Sequence, residues 1–327
     1  MLHRLKSAVA KLSGLEETYP SATREIKSFA KQNYESKHGS GLNYDEITII
    51  MPSLNRMKIM QRCINALFKN TTVPFKLIIV DNNSNQETKT FLKDLVIQKK
   101  NIEVIFERTN IGASAGRQRA LSKVETEFVA FLDNDIMIMP GYFENLMDTI
   151  QHDLKIAGVQ SKVIFPNKLI QINHPTFEIK SGWIYYNDSD QNKLFNDPTT
   201  LLQEECKWIP IGATIWRTNI FNTFKFNEQM NTSYEDNDLS YRISKKGFKF
   251  LNCPFSLCIH FHSSFTPSSM SDKDYVQGRY DLNSIRNSAK IFYRENKLVF
   301  CYGERSKYVK EYLKFENDSE YINFLNS

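Results

Sequence analysis

The sequence predicts an α/β domain on a largely parallel sheet, and three observations carry that expectation. Apolar runs of strand length, Ile47–Met51, Phe75–Val80, Ile102–Phe106 and Val129–Leu132, alternate with stretches of helical periodicity. The runs are apolar throughout, as in strands covered on both faces. Polar clusters follow three of them, Pro52–Arg56, Asp81–Ser84 and Asp133–Asp135. Such sheets bind ligands beyond the carboxyl ends of their strands.

Composition bounds the class. At 41% hydrophobic and 24% charged, the chain of 327 residues is a globular protein of one large or two small domains. A net charge of +5 is too mild for a nucleic-acid binder but suits an anionic substrate. Five cysteines without a CxxC pair point to reduced thiols in the cytoplasm. No apolar run approaches the roughly 18–20 residues that span a bilayer. The basic N-terminus lacks the apolar core of a secretory signal.

The elements follow in order. Leu2, Leu5, Val9, Leu12 and Leu15 recur at helical spacing among basic residues. This helix either packs on its own domain or lies on an anionic membrane or partner. Lys37–Asn43 reads as a linker. Ile47–Met51 is a β-branched strand ended by Pro52, followed by a helix over Met57–Phe68. Phe75–Val80 is the second strand, Glu87–Leu95 a helix and Ile102–Phe106 the third strand. Asn110-Ile-Gly-Ala-Ser-Ala-Gly116 lacks the spacing of a dinucleotide loop and the Gly-Lys-Ser/Thr ending of a P-loop. It opens a helix whose small residues admit a phosphate or sugar, with Arg117 or Arg119 as a diphosphate partner.

Phe128–Leu132 then ends in Asp133-Asn-Asp135. Residues i and i+2 of a strand share a face, and two acids there repel unless a cation compensates them. Mg²⁺ or Mn²⁺ prefers such oxygens and shares them with phosphate. The plain alternative is a solvated acidic turn.

The second half departs from strict alternation. Gly158–Phe165 and Gly182–Tyr186 read as strands around a polar Asn187–Asp197 loop. Trp208–Trp216 reads as an apolar strand interrupted at Gly212, where a ligand or backbone approaches closely. Glu235, Asp236 and Asp238 open a helix closed by Gly247, and acids there suit the helix dipole without any catalytic role. Phe248–Leu251 and Leu257–His262 are two more strand-like runs, with His260 and His262 on one side. Asp281–Lys297 and Lys307–Phe315 read as terminal helices rich in Lys, Arg and Tyr. No RNA- or DNA-binding signature accompanies them.

In sequence order, Ile49-Ile-Met-Pro-Ser-Leu-Asn-Arg56, Ile79-Val-Asp-Asn-Asn-Ser84, Asn110–Arg117, Phe131-Leu-Asp-Asn-Asp135, Phe226-Asn-Glu, Tyr234-Glu-Asp-Asn-Asp238, Lys245-Lys-Gly247 and His260 together resemble a family-2-type inverting glycosyltransferase of the GT-A (nucleotide-diphospho-sugar transferase) fold. The resemblance spans Ile47 to His262. It implies a mostly parallel central sheet flanked by helices over residues 46–265, nucleotide half 46–150 and acceptor half 151–265. Helical extensions occupy 1–45 and 266–327.

It implies metal-dependent transfer, with inversion, from a nucleoside-diphosphate sugar, UDP-sugar favoured, to a glycan, glycolipid or other hydroxyl acceptor in polysaccharide synthesis. Pro52, Asn55, Arg56, Asp81, Asn83, Asn110, Gly112, Arg117, Asp133 and Asn134 would hold the donor. Asp133, Asp135, His260 and His262 would hold Mn²⁺ or Mg²⁺, either imidazole serving. Asp236 would be the general base beside Glu235, with Trp208, Gly212 and Trp216 on the acceptor. The second strand ends Asp-Asn-Asn where many members carry two acids, and Asn134 fills the centre of the D-x-D. A cytoplasmic protein is expected, with terminal helices as a candidate contact to the inner membrane face and no nucleic-acid partner. The competing readings are a nucleotidyltransferase, whose glycine-rich loop is replaced here by Pro52–Arg56, and an inactive binding protein on the same fold.

Overall fold

The structure, a computed structural model, describes residues 20–37, 44–180, 182–230, 233–262 and 281–301. The repeat Leu2–Leu15, most of the linker and the helix expected at Lys307–Phe315 lie outside them. The first half runs α1 (Pro20–Lys37), β1 (Ile47–Ser53), α2 (Met57–Asn70), β2 (Phe75–Asp81), α3 (Gln86–Gln98), β3 (Ile102–Phe106), α4 (Gly112–Leu121), β4 (Phe128–Leu132), β5 (Ile136–Ile138) and α5 (Tyr142–Gln151). The second runs β6 (Ile156–Ile164), β7 (Ile170–Ile172), β8 (Pro175–Lys180), β9 (Trp183–Asp188), β10 (Glu205–Cys206), β11 (Ala213–Arg217), α6 (Ile220–Thr223), α7 (Glu235–Ser244), β12 (Lys249–His260), α8 (Leu282–Asn296) and β13 (Val299–Cys301).

The main sheet runs β10-β12-β6-β11-β4-β1-β2-β3, with β5 on β12 and β7 on β6. β4, β1, β2 and β3 are parallel, as expected. The second half adds antiparallel pairings to this sheet: β12 runs parallel to β6, while β11 lies antiparallel to both β4 and β6. The chain leaves β6 through the small β8–β9 hairpin and returns between two strands already laid down. β13 joins that hairpin in parallel with β9.

The apolar runs are explained by two-sided burial. In β1, Ile47, Ile49 and Met51 face a core with α2 and α5 residues such as Leu67 and Phe143. Ile50 faces the opposite core with Val129, Phe131, Trp216 and Phe250. All five β4 residues are buried.

Three local expectations are revised. Asp133–Asp135 is a turn between β4 and β5, not the end of an extended strand. Trp208–Gly212 stays outside the ladder, and β11 begins at Ala213. Phe248–Leu251 and Leu257–His262 join into one strand, β12, across an irregularity between Cys253 and Leu257 that contains Pro254. It ends at His260, so His260 and His262 do not share a strand face.

Cys63, Cys206, Cys253 and Cys258 are buried. Among the described residues no helix is long and apolar enough to cross a membrane.

α1 is part of the packed body. Ile26 and Ala30 are buried with Met139, Ile164 and Ile259, and Phe29 meets Phe195 edge-on at 5.4 Å. Tyr34 lies over Gly141, where a Cβ would come within 2.7 Å of its ring. α8 is equally integrated: Ile291 and Phe292 pack with Ile184, Met230 and Tyr234, and Asn296 donates to Asp238 Oδ1 at 2.8 Å. Truncating Ile26 to Ala should therefore cost about 2–5 kcal/mol of stability, read by denaturant unfolding. A change within error would show that α1 adds nothing to the core.

Candidate active site

A cleft of about 660 Å³ opens at the carboxyl ends of β1, β2 and β4. From the first half of the chain Pro52, Asn82, Asn110, Gly112, Arg117 and Asp133–Asp135 line it. From the second half Trp208, Gly212, Glu235, Asp236, His260, Asp281 and Ser284 do so.

Strand register assembles the acid turn. Asp133 leaves β4 opposite Gly212, and its N–H donates to the Gly212 carbonyl at 2.9 Å. A Cβ on Gly212 would sit 2.3 Å from Asp133 Oδ2, so only glycine lets that carboxylate lie there. β5 then pairs antiparallel with β12, placing His260 opposite Ile136 and beside Asp135.

Asp135 is 4% exposed. Its Oδ2 accepts from Arg56 Nη1 at 2.6 Å, and its Oδ1 faces His260 Nε2 at 3.3 Å. Burial works to raise its pKa, but His260 and Arg56 outweigh it and hold the carboxyl well below the usual range. His260 Nδ1 lies 2.7 Å from Gln171 Oε1, an acceptor. The Nδ1 proton is therefore engaged, and Nε2 is presented to Asp135.

Asp133 is half-buried and accepts from Arg117 Nη2 at 2.8 Å. The other arm of Arg117 reaches Glu235 Oε1 at 3.6 Å. This side chain therefore links the acid turn to the start of α7. Glu235 and Asp236 open α7 directly after Tyr234, whose φ of 74° is uncommon for an aromatic residue. Burial and the neighbouring Glu235 push the Asp236 carboxyl up to about 7, against the pull of Arg117. Tyr186 lies against Asp236 and Asn237, and burial keeps it a neutral phenol.

Other expected site residues lie elsewhere. Arg56 does not line the cleft; it is buried, committed to Asp135 and to the Phe261 carbonyl at 2.9 Å. Asn55 ties the turn to Ser84 and Asn85. Asp81 is buried and accepts from the Ser84 N–H, because the strand pleat turns it away from the cleft. Asn83 is exposed and accepts from Lys89. His262 meets Phe165 and the His260 ring and does not line the cleft. Trp216 is a correction: its ring is fully buried over Gly158 of β6, against Phe221 and Phe250. Its indole N–H donates to Thr214, so it forms core, not an acceptor platform.

Residues not expected from the sequence do line the cleft: Asn82, Gln160, Gln171, Asp281 and Ser284. Only Asn82 left a signal, as the pleat neighbour of Asp81. Buried polar atoms without a partner among the described residues gather here: Asn82 Oδ1, Arg117 Nε, Gln160 Oε1 and Trp208 Nε1. Buried polar groups are normally satisfied, so these suit a polar ligand.

Sheet order and the cleft at the strand ends place the chain in the GT-A fold class. Residues 48–209 match the model of glycosyl transferase family 2, and the chain carries a glycosyltransferase domain of that family. It is 23% identical over 252 residues to a pre-mycofactocin glycosyltransferase of Mycobacterium tuberculosis, covering 77% of this chain and 50% of that one. It is 26% identical over 264 residues to a teichoic acid poly(glycerol phosphate) polymerase of Staphylococcus epidermidis, covering 76% of this chain and 34% of that one. The chain thus spans half or less of the length of these two relatives. A crystal structure of GalNAc-T7 with UDP, GalNAc and Mn²⁺ shares the fold at a TM-score of 0.53 and 14% identity, over 93% of this chain and 66% of that one.

Gly212→Ala should displace the Asp133 carboxylate and lower turnover by up to about 10²-fold while the melting temperature changes little. Full activity in this variant would show that the close approach has no role.

Proposed function

We propose that the protein transfers a sugar from a nucleoside-diphosphate sugar, with UDP-sugar the favoured donor, to a hydroxyl of a glycan or glycolipid, with inversion and with Mn²⁺ or Mg²⁺. One observation carries this reading: Asp133, Asp135, Glu235, Asp236 and Asp281 line the cleft, and Arg117, the one lining arginine among the described residues, is already bound to two of them. A diphosphate entering such a cleft meets net negative charge and needs a cation.

The residues fit a shared cation. Among the described residues no group of three or more His, Cys, Asp or Glu side chains is arranged to hold a metal. A cation that takes part of its coordination from substrate phosphate needs only one or two protein carboxylates. Asp135 Oδ1 and His260 Nε2 would hold it, with Asp133 alongside. When bound, it would offset the charge developing on the departing diphosphate.

Asp236 takes the proton from the acceptor hydroxyl as that oxygen attacks the anomeric carbon opposite the diphosphate. One displacement assisted by one base inverts the anomeric centre. A carboxyl pushed up to about 7 is matched to this task near neutral pH. Trp208 lines the same cleft as Asp236, and its aromatic ring and indole N–H suit a sugar ring. Gly112 and Asn110, at the start of α4, let the nucleotide approach the backbone closely.

Screening nucleotide sugars for thermal stabilisation with and without Mn²⁺ identifies the donor. With that donor, Asp236→Asn should lower kcat by about 10²–10⁴-fold and leave donor affinity intact; unchanged turnover removes Asp236 from the base role. Only the Asp236 carboxylate accepts a proton, so wild-type kcat should rise with pH and level off above about 7. Activity that persists in excess EDTA would count against the cation.

A further inference from the structure

The start of α8 brings one more carboxylate to the cleft. Asp281 and Ser284 line it together with Glu235 and Asp236, and all four lie beyond residue 209, where the family match ends. Helix geometry puts them there. Ile285, Ala289, Phe292 and Asn296 recur at i, i+4, i+7 and i+11 and so share one face of α8. Ile285, Ala289 and Phe292 pack into a small core with Met230 and Tyr234, and Asn296 donates to Asp238 Oδ1 of α7 at 2.8 Å. Asp281, the N-cap, stands one turn before Ile285 on the same line.

Capping explains an oxygen at Asp281 but not its charge. Its Oδ2 accepts from the Ser284 N–H at 2.8 Å, and asparagine caps a helix as well as aspartate does. Hydrogen bonds from Ser284 hold the Asp281 carboxyl below the usual range, so it is ionised at neutral pH.

The charge around it is one-sided. Among the described residues, the second half of the chain contributes three carboxylates to the lining, Glu235, Asp236 and Asp281, and no Lys or Arg. Arg117 comes from α4 and is committed to Asp133 and Glu235. With Arg56 counted behind Asp135, five lining acids still outnumber two guanidinia. A donor would not reverse this, because a divalent cation and the diphosphate it accompanies cancel each other's charge. Neutral polar groups line the same cleft. Gln160 is fully buried with Oε1 unpartnered among the described residues, and the Trp208 indole N–H is likewise unpartnered. An acceptor and a donor of this kind suit hydroxyls, not anions.

We infer that Asp281 is a specificity-determining residue: with Glu235 and Asp236 it keeps the cleft around the attacked hydroxyl anionic, so that an uncharged sugar is accepted and the same sugar bearing an acid group is rejected. This rests on the reading of the cleft as a sugar-transfer site with Asp236 as its base. Selection of this kind works by repelling the wrong ligand. An acidic acceptor would have to approach Asp236 while that carboxylate is ionised to take the proton, so the repulsion acts on turnover as well as on binding.

The test uses the full chain with Mn²⁺, with UDP-glucose, UDP-galactose and UDP-N-acetylglucosamine as donors, and acceptor probes matched except for charge: p-nitrophenyl glucoside with the glucuronide, and p-nitrophenyl galactoside with the galacturonide. In wild type the uncharged member of a pair should be used at least about tenfold better in kcat/KM, and the ratio should shrink as rising ionic strength screens the repulsion. Asp281→Asn keeps the cap and removes the charge; it should lower the ratio about three- to tenfold, chiefly through better use of the acidic member. Ser284→Asp adds an acid where a helix N-terminus favours one and should widen the ratio. A wild-type preference for the acidic member overturns the inference, as does an unchanged ratio in Asp281→Asn. An equal loss for both members would mark Asp281 as structural and overturn it too. If Asp281→Asn fails to fold by circular dichroism, Ser284→Asp decides. If none of these donors is transferred, the same ratios are read as affinities by saturation-transfer NMR with UDP and Mn²⁺ present. Binding of neither member would overturn the sugar-transfer reading itself, a result distinct from binding without discrimination.

Discussion

Carboxylates crowded into a half-dry cleft must be compensated, and the way each is compensated divides their chemistry. Asp135 has Arg56 on one oxygen and His260 beside the other, so it stays ionised far below neutrality. Asp236 has burial and Glu235 against it, with Arg117 only a partial offset, so its proton is held up to about 7. Acids pushed apart in this way mark different tasks. The first stays a fixed anion, and the second can load and unload a proton near neutral pH, as the proposed base must. Arg117 belongs to both sets, since its two arms meet Asp133 and Glu235.

Strand pairing delivers this arrangement. β4 sits between parallel β1 and antiparallel β11, so its end meets the loop that carries Gly212. β5 reverses at once onto β12, and that short antiparallel pairing brings His260 to a carboxylate 125 positions earlier in the chain. The reversal of β11 thus does more than modify a parallel sheet: it closes the cleft by facing the loop before β11 toward the acid turn.

The sequence made the parallel half legible because its strands are buried on both faces and read as unbroken apolar runs. The acid turn, the glycine loop and the Glu235–Asp236 pair stand out for the same reason: polar residues interrupt apolar or periodic stretches there. What stayed hidden depends on pairing and pleat. Trp208 and Trp216 look alike in the sequence, but Trp216 lies opposite Gly158 in the β11–β6 register, and the missing Cβ makes room for its ring. Asp81 and Asn82 differ by one step of the pleat, which sends the acid toward Ser84 and the amide to the cleft. Arg56 could not be placed without its left-handed backbone. Gln171 carries no local signal, and its part in holding His260 follows from β7 pairing with β6.

The segment matched by the family model ends at residue 209, ahead of Gly212, Glu235, Asp236, His260 and Asp281. Pro52, Asn82, Asn110, Arg117 and Asp133–Asp135 of the cleft fall within it, and these later residues complete the lining. That later portion is braced as a unit. Tyr234 packs on Phe292, and Asp238 of α7 is tied to Asn296 of α8. The first turn of α8, capped by the Asp281 carboxylate on the Ser284 N–H at 2.8 Å, borders the same cleft. A helix that borders the cleft is thus fastened to the helix that carries Asp236. Reshaping the cleft wall through α8 would also move Asp236, so the shape of that wall and the position of this carboxyl are tuned together, while Arg56 and Arg117 keep Asp135 and Asp133 in place.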